Sequence, residues 1–292
     1  MTQRNEISRG LTCEEIEQQY ALRKLRPAYE KEMVPGWLER SAAFRAAHPG
    51  ARIDLAYGPG PRDRFDLFPA PRPKGPFLVY IHGGYWQRGD KSVYSILARP
   101  FTQAGIDVAL VNYDLCPSVP ASAIAPQVRR GVAHLWRNAR DLGCPRTRFC
   151  VMGHSAGGHL TAEMMATRWN EEADDLPAAM IDAGLPFSGI FDFEPILHCS
   201  ENDGMQMDAA VAAEISTILR SMPTDAPQLV AWGENETPDW QRQSQAYVER
   251  FATDARRIDA LVVPGADHFD VVDVLADADS TLTARAQALI LG

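Results

Sequence analysis

The order of hydrophobic and polar positions predicts strands and helices that alternate along most of the chain. Apolar runs typical of strands recur after residue 50, at 53–58, 64–70, 77–82, 108–114, 148–153, 179–191, 228–233 and 259–265. Segments that suit helices lie between them, at 91–104, 124–135, 156–169, 208–220, 239–254 and 280–291. Such alternation predicts an α/β fold with a mostly parallel central sheet and helices on both faces.

Composition narrows the function classes without selecting one. With 46% hydrophobic residues, the 292-residue chain is long enough for one large core. A net charge of −9 argues against a nucleic-acid-binding protein, which needs a basic face. No apolar run reaches the roughly 20 residues that span a bilayer, and the start of the chain lacks the apolar core of a secretory signal. With five irregularly spaced cysteines, we expect a cytoplasmic protein that binds neither nucleic acid nor membrane.

One pentapeptide carries the strongest chemical signal. Gly153-His154-Ser155-Ala156-Gly157 follows an apolar strand and opens a helix, and it fits the G-x-S-x-G nucleophile elbow of α/β-hydrolases. In this elbow a strained turn exposes a serine hydroxyl, and side chains at both glycine positions would collide with the neighbouring strand and helix. The motif predicts the α/β-hydrolase fold and makes Ser155 the candidate nucleophile.

A second glycine motif, His82-Gly83-Gly84-Tyr85-Trp86, follows the strand at 77–82. Glycine lets backbone N–H groups approach a developing oxyanion, so Gly83 or Gly84 is expected to form the oxyanion hole together with the N–H of Ala156. We interpret His82 as a brace for this loop rather than a catalytic or metal-binding residue. Because His154 and His159 have no partners at metal-ligand spacing, we predict no metal; no cofactor is expected either.

The base and the acid should follow Ser155 in the order acid, then histidine. His268 lies after the last strand and is the candidate base, whereas His198 comes too early. For the acid, the loop after 228–233 offers three carboxylates, Glu234, Glu236 and Asp239. Its position in the loop favours Glu236, while Asp239 is expected to cap the following helix. The other two carboxylates stay open as alternatives.

These motifs together resemble the kynurenine formamidases (arylformamidases), which are related to the hormone-sensitive-lipase-like esterases. The similarity spans most of residues 50–290 and rests on the two glycine motifs and on four further blocks, 111–115, 188–192, Gly233-Glu234 with Gln243-Ser244, and His268-Phe269. The resemblance supports Ser155, His268 and the glycine-loop oxyanion hole. It also implies a substrate pocket at Tyr85, Trp86 and His154. The family usually has aspartate where this chain has Glu236.

The expected function is serine hydrolysis of a small acyl amide or ester through an acyl-enzyme. The resemblance favours an arylformamidase that acts on N-formylkynurenine or a similar arylamide. A carboxylesterase for small esters is the main alternative. An inactive hydrolase fold that serves as a receptor is a remote one, since such proteins usually lose the serine or the histidine and both are present here.

The first fifty residues are expected to form a unit of their own. Charge is abundant there, apolar residues recur at helical spacing, and no strand signal precedes residue 51. We therefore expect an N-terminal helical cap at 1–50 and a catalytic domain at 51–292. The aromatic residues Tyr20, Tyr29, Trp37 and Phe44 suggest that the cap covers the active-site mouth. A stabilising arm or a homodimer contact is the alternative.

Overall fold

A computed structural model describes residues 6–292 of the chain. Within these residues the strands form one eight-stranded sheet in the order β1-β2-β4-β3-β5-β6-β7-β8. The strands are β1 Arg52–Ala56, β2 Arg64–Phe68, β3 Pro76–Ile81, β4 Asp107–Val111, β5 Arg148–His154, β6 Ala183–Phe187, β7 Gln228–Gly233 and β8 Ile258–Val263. Strands β3 to β8 pair in parallel, whereas β1 and β2 pair antiparallel at one edge. The α/β-hydrolase fold with its mostly parallel sheet is therefore confirmed.

Helices follow most of the strands. They are α1 Cys13–Tyr20, α2 Leu22–Leu25, α3 Val34–Ala47, α4 Ala98–Gln103, α5 Ala121–Asn138, α6 Ala156–Met165, α7 Trp169–Glu172, α8 Asn202–Met205, α9 Ala209–Ile215, α10 Pro238–Phe251, α11 Asp270–Ala276 and α12 Thr281–Leu291. A π-helical turn, Tyr29–Met33, precedes α3, and short 3₁₀ turns lie at Lys91–Val93, Ser95–Leu97, Pro195–His198 and Thr217–Leu219. None of the helices in the described part of the chain is long and apolar enough to cross a membrane.

Burial explains why the apolar runs predicted these strands. Every residue of β3 and of β4 is buried, since both strands lie inside the sheet and carry helices on both faces. Strand β8 lies at the sheet edge and alternates between exposed and less exposed positions. The continuous apolar runs thus belong to the strands that the rest of the molecule covers.

Several helical regions differ from the prediction. The helix expected at 208–220 ends at Ile215 and is followed by the 3₁₀ turn Thr217–Leu219, and the helix expected at 156–169 ends at Met165. The segment 91–104 begins as two 3₁₀ turns, because the Ser41 hydroxyl of α3 donates to Val93 O at 2.7 Å and accepts from Ile96 N at 3.0 Å. These bonds engage backbone groups that a continuous helix would use itself. Helix α11 was not predicted, since its seven residues, DVVDVLA, are too short to show a helical period.

The N-terminal helices pack against the end of the sheet that carries the β7 and β8 loops. The Tyr20 side chain is fully buried, and its hydroxyl donates to Asp239 of α10. Arg26 pairs with Asp267 and Asp270, the latter at 2.8 Å. The Tyr29 ring also stacks on the ring of Phe269, with ring centroids 4.0 Å apart. Of the segment expected at 1–50, residues 1–5 lie outside the described residues.

Helix α6 approaches strand β3 more closely than a side chain would allow. A Cβ atom at Gly157, in the first turn of α6, would lie 1.9 Å from the backbone oxygen of Ile81 on β3. A Cβ at Gly153, on β5, would lie 2.3 Å from Gly157 O. Both clashes are with backbone, which has little freedom to move inside a sheet. The two glycines therefore determine how close α6 lies to the sheet.

We expect Gly157→Ala to lower the free energy of unfolding by about 3 kcal/mol, because either the helix or the strand must shift to admit the methyl group. Urea denaturation followed by circular dichroism measures this change. Gly36→Ala in α3 is the matched control, since no atom lies within 4 Å of the added Cβ. The control should be unchanged or more stable by about 0.5–1 kcal/mol. Equal unfolding free energies for the two variants would contradict the packing argument.

Candidate active site

Ser155 occupies the sharp turn between β5 and α6. Its backbone has φ 61° and ψ −122°, a strained conformation for a residue with a side chain. The turn is held by the Ser155 N–H, which donates to Phe187 O on β6 at 2.9 Å. The side chain is 7% exposed and lines a pocket. A hydroxyl is thus presented at the carboxyl ends of the parallel strands, where reactive groups collect in α/β folds.

The glycine loop after β3 lies directly against this turn. A Cβ at Gly83 would lie 2.8 Å from His154 O and 3.1 Å from Ser155 Cβ. Gly84 has φ +125°, a conformation that side chains disfavour. Ala156 is the first residue of α6, so its N–H has no partner within the helix. Backbone N–H groups from two segments are therefore available beside Ser155.

His82 is enclosed behind this loop. The ring is fully buried, its Nδ1 lies 2.7 Å from Gly83 O, and it stacks on Tyr113 with ring centroids 4.3 Å apart. The Tyr113 hydroxyl also donates to His82 O at 2.7 Å. Burial lowers the pKa of His82 to about 4, so the ring is neutral at pH 7. These contacts are those of a residue that supports the loop.

His268 and Glu236 meet in the loops that follow β8 and β7. His268 Nδ1 lies 3.3 Å from Glu236 Oε1, and both side chains are buried. The same carboxylate oxygen accepts a 2.5 Å hydrogen bond from the Ser188 hydroxyl, a contact that sequence reasoning missed. Trp240 packs across His268 with ring centroids 4.4 Å apart. Because His268 also lines the pocket with Ser155, the three predicted residues converge on one place.

The two alternative carboxylates lie in other surroundings. Glu234 is exposed and its Oε2 accepts from Gly265 N at 2.8 Å, which supports the turn after β8. Asp239 accepts from the Tyr20 hydroxyl and pairs with Arg242. The expectation that Asp239 caps α10 was wrong: the helix begins one residue earlier, at Pro238, and Thr237 occupies the capping position. In the described part of the chain, Glu236 is the one carboxylate of the three that contacts His268.

A third buried side chain, His154, stands beside this pair. One ligand atom each from His154, Glu236 and His268 lies within 4.8 Å of the others, a grouping that sequence spacing gave no sign of. The rings of His154 and His268 have centroids 4.6 Å apart. Such a set of atoms has the chemistry to hold a cation. Because His268 Nδ1 and Glu236 Oε1 already contact each other, we interpret the group as a hydrogen-bonded pair with a neighbouring imidazole.

The protein interior disfavours charge on either member of the pair. Burial raises the pKa of Glu236 to about 7, although the hydrogen bond from Ser188 opposes the rise. Burial lowers the pKa of His268 to about 3. At pH values above 7 the imidazole is therefore neutral and free to accept a proton, while the carboxylate is ionised.

The pocket at Ser155 is largely aromatic. Its empty space is about 430 Å³, a volume that includes open solvent at the mouth. Its lining includes Tyr29, Trp37, Tyr85, Tyr94 and Phe269, together with His154. Two of these residues, Tyr29 and Trp37, come from the N-terminal segment. Sequence reasoning named Tyr85 and His154 for the pocket, but Tyr94 and the Phe269 ring became visible only once the loops were placed.

Trp86 lies elsewhere than expected. Its indole is 2% exposed and packs against His159 and Phe193, with ring centroids 5.3 and 4.9 Å apart, and it does not line the pocket. The backbone explains the difference: Tyr85 and Trp86 both have positive φ, near 55°, and the turn directs the Trp86 ring away into the core. Tyr85 alone of the two faces the pocket.

Comparison with known proteins identifies the family of this chain. The BD-FAE family profile matches residues 66–234, more than half of the chain. The chain belongs to the BD-FAE family. A kynurenine formamidase of Salmo salar is 28% identical to this BD-FAE member over 240 residues, which cover 79% of each protein. The resemblance to kynurenine formamidases is thereby confirmed, and the chain is a hydrolase of this esterase and formamidase group.

Solved structures extend the comparison. A protein of Silicibacter sp. TM1040, described as a "putative thioesterase", is 32% identical to this BD-FAE member with a TM-score of 0.82; the match covers 95% of this chain and 99% of that one. An esterase of Pyrobaculum calidifontis, 18% identical with a TM-score of 0.71, covers 95% of this chain and 96% of its own and shares the fold.

The buried pair predicts how hydrolysis by this BD-FAE member depends on pH. We expect kcat/KM to fall as the pH is lowered through an apparent pKa near 7, because the proton that the pair takes up enters on Glu236, which then no longer stabilises the imidazolium that proton transfer to His268 would form. The measurement is a kcat/KM profile from pH 5 to 9. Ser188→Ala should shift the acidic limb of the profile, where kcat/KM falls, to higher pH. The substitution removes a hydrogen-bond donor that stabilises the ionised Glu236.

Ser8→Ala is the control for that shift. Its hydroxyl also donates to a glutamate, Glu194, but at a site that does not line the pocket. The control should keep the wild-type profile. If Ser188→Ala left the limb in place, the proton would enter on His268 instead, against the direction that burial predicts.

Proposed function

We propose that this protein is an arylformamidase-type serine hydrolase, which cleaves N-formylkynurenine or a similar acyl arylamide. The single observation that carries the proposal is the aromatic pocket that Ser155 and His268 line together. Flat aromatic side chains such as Tyr29 and Phe269 offer an aryl leaving group stacking and apolar contact. The similarity to kynurenine formamidases supports the same substrate class.

In the proposed reaction the Ser155 hydroxyl attacks the formyl carbon while His268 takes its proton. The carbonyl oxygen becomes an oxyanion, which the N–H groups of Gly83 or Gly84 and of Ala156 stabilise. The carbon–nitrogen bond then breaks, and His268 returns the proton to the leaving arylamine. Water repeats the sequence on the formyl-serine ester and releases formate. Glu236 orients His268 and stabilises the imidazolium formed in each half.

A carboxylesterase is the second candidate. The same residues would act on an ester, and the fold is shared with solved esterases. An ester has a better leaving group than an amide, so an arylformamidase is also expected to cleave esters to some extent. Only the ratio of the two activities separates the candidates.

The decisive experiment compares N-formylkynurenine with 4-nitrophenyl acetate as substrates of the full-length chain. We expect kcat/KM to be higher for the formamide, and Ser155→Ala to lower kcat by at least about 10³-fold for both substrates. Intact-mass detection of fluorophosphonate labelling at Ser155 provides an independent readout. Cleavage of the ester alone would replace the proposal by the carboxylesterase. Activity of Ser155→Ala within tenfold of wild type would remove Ser155 as the nucleophile.

The acid is tested within the same series. Glu236→Gln should lower kcat by roughly 10⁴-fold, because the amide no longer holds the productive imidazole tautomer. Glu234→Gln, two residues away and exposed, is the matched control and should cost little. The opposite pattern would assign the acid to Glu234.

We further propose that the N-terminal segment acts as the cap of this site. Leu22, Tyr29 and Trp37 line the pocket, and the salt bridges of Arg26 attach the segment to Asp267 and Asp270 beside His268. A cap of this kind excludes water and limits substrate size.

Tyr29→Ala tests the cap. It removes the ring that stacks on Phe269, and we expect KM for an aryl substrate to rise about tenfold while fluorophosphonate labelling of Ser155 continues. Phe44→Ala is the control, because this ring lies in the same segment but contacts His48 and Phe68 outside the pocket. Equal changes of KM in the two variants would contradict the cap and indicate that the segment only stabilises the fold.

A further inference from the structure

Two arginines interrupt the aromatic lining of the pocket. Arg23 lies on α2, in the N-terminal segment, and Arg88 lies in the turn that continues the glycine loop. The Arg88 backbone N–H donates to Gly84 O at 3.0 Å, so this turn is attached to the loop beside Ser155. Both arginines therefore line the cavity that contains Ser155 and His268.

The protein only partly satisfies these two groups. Arg23 Nη2 and Arg88 Nη1 lie 3.7 and 3.9 Å from the oxygens of the buried carboxylate of Glu201, which is longer than a hydrogen bond. Arg23 has one short ion pair, with the exposed Glu30 at 2.5 Å, but its Nε is buried without a hydrogen-bond partner. The Arg88 guanidinium has no hydrogen bond to another described residue. The two side chains are 32% and 31% exposed, so a ligand in the cavity can reach them. A guanidinium has five donors, and the protein itself engages few of them here.

The charge at Arg88 is also costly. Burial lowers its pKa, and the positive charge of Arg23 lowers it further, while Glu201 opposes the change. An additional anion between the two arginines would relieve this cost. The unused hydrogen-bond donors and the positive charge both favour an anionic ligand.

We propose that Arg23 and Arg88 bind a carboxylate of the substrate, so that the enzyme selects acylated aryl compounds with an anionic group on the leaving-group side. The inference rests on the proposed function. A formyl group carries only a hydrogen on its carbonyl carbon, so an anionic group of the substrate must belong to the leaving amine. The planar guanidinium matches a carboxylate with two parallel hydrogen bonds. Binding at this remote group orients the scissile bond toward Ser155.

The test compares two formanilides that differ in one group. The pair is N-formylkynurenine and 2′-formamidoacetophenone, which keeps the aryl ketone but lacks the amino-acid end. We expect wild type to favour the carboxylate substrate at least tenfold in kcat/KM. Arg88→Met and Arg23→Met should each bring that ratio to within about threefold of one, mainly through KM. Arg40→Met is the matched control, since Arg40 lies in the same N-terminal segment, pairs with Asp273 and does not line the pocket.

A second substrate pair separates this inference from the proposed function. It consists of 3-(4-acetoxyphenyl)propanoate and its methyl ester, in which a phenyl acetate replaces the formamide as the bond to be cleaved. If wild type cleaved these esters with the same preference but no formamide, the proposed function would fail and the carboxylate site would stand. If formamides were cleaved with a ratio within threefold of one, or if both arginine variants kept the wild-type ratio, the carboxylate site would be overturned.

Binding without turnover gives a third readout. Kynurenine should raise the melting temperature of wild type more than 2-aminoacetophenone does at equal concentration, and Arg88→Met should remove the difference. Arg88→Lys keeps a positive charge near Glu201 but loses the planar fork, so it should fold and restore the preference only in part. Equal melting shifts for the two ligands on wild type would count against the site as firmly as an unchanged kinetic ratio.

Discussion

The contact between helix α6 and strand β3 is the constraint on which the rest of the site depends. Because Gly157 lies against the backbone oxygen of Ile81, the chain has no room for a gradual turn between β5 and α6. Ser155 takes up the sharp turn and adopts a positive φ. The same close approach brings the glycine loop against the turn, so the hydroxyl and the free backbone N–H groups come together through one packing contact.

Around this turn the protein places polar groups where water has been removed. His268, Glu236 and Ser188 come from loops after three adjacent strands, β8, β7 and β6, and their side chains are buried. Burial keeps the imidazole neutral and raises the proton affinity of the carboxylate. In the proposed reaction, an imidazole that is neutral near pH 7 and lies next to a carboxylate held by a second donor is suited to take a proton from a hydroxyl.

The N-terminal segment supplies part of the lining of the pocket at Ser155. The fold also occurs in esterases that are less than 20% identical to this chain, so the fold leaves the substrate open. Tyr29, Trp37 and Arg23 reach the pocket from residues that precede the first strand. We therefore expect substrate preference among related chains to vary with this segment.

The sequence by itself determined the fold class, all eight strands and the elbow, because each depends on local order: runs of apolar residues, glycines around a serine, and loops after strands. It also narrowed the acid to three neighbouring carboxylates. Only the tertiary structure decided which of them meets His268, 32 residues away, and that Ser188, 48 residues before Glu236, completes the contact. Only the tertiary structure likewise showed that the turn with positive φ directs Trp86 into the core, and that Arg23 and Arg88 line the pocket. Such contacts depend on strand order and loop conformation, which join residues that no local pattern relates.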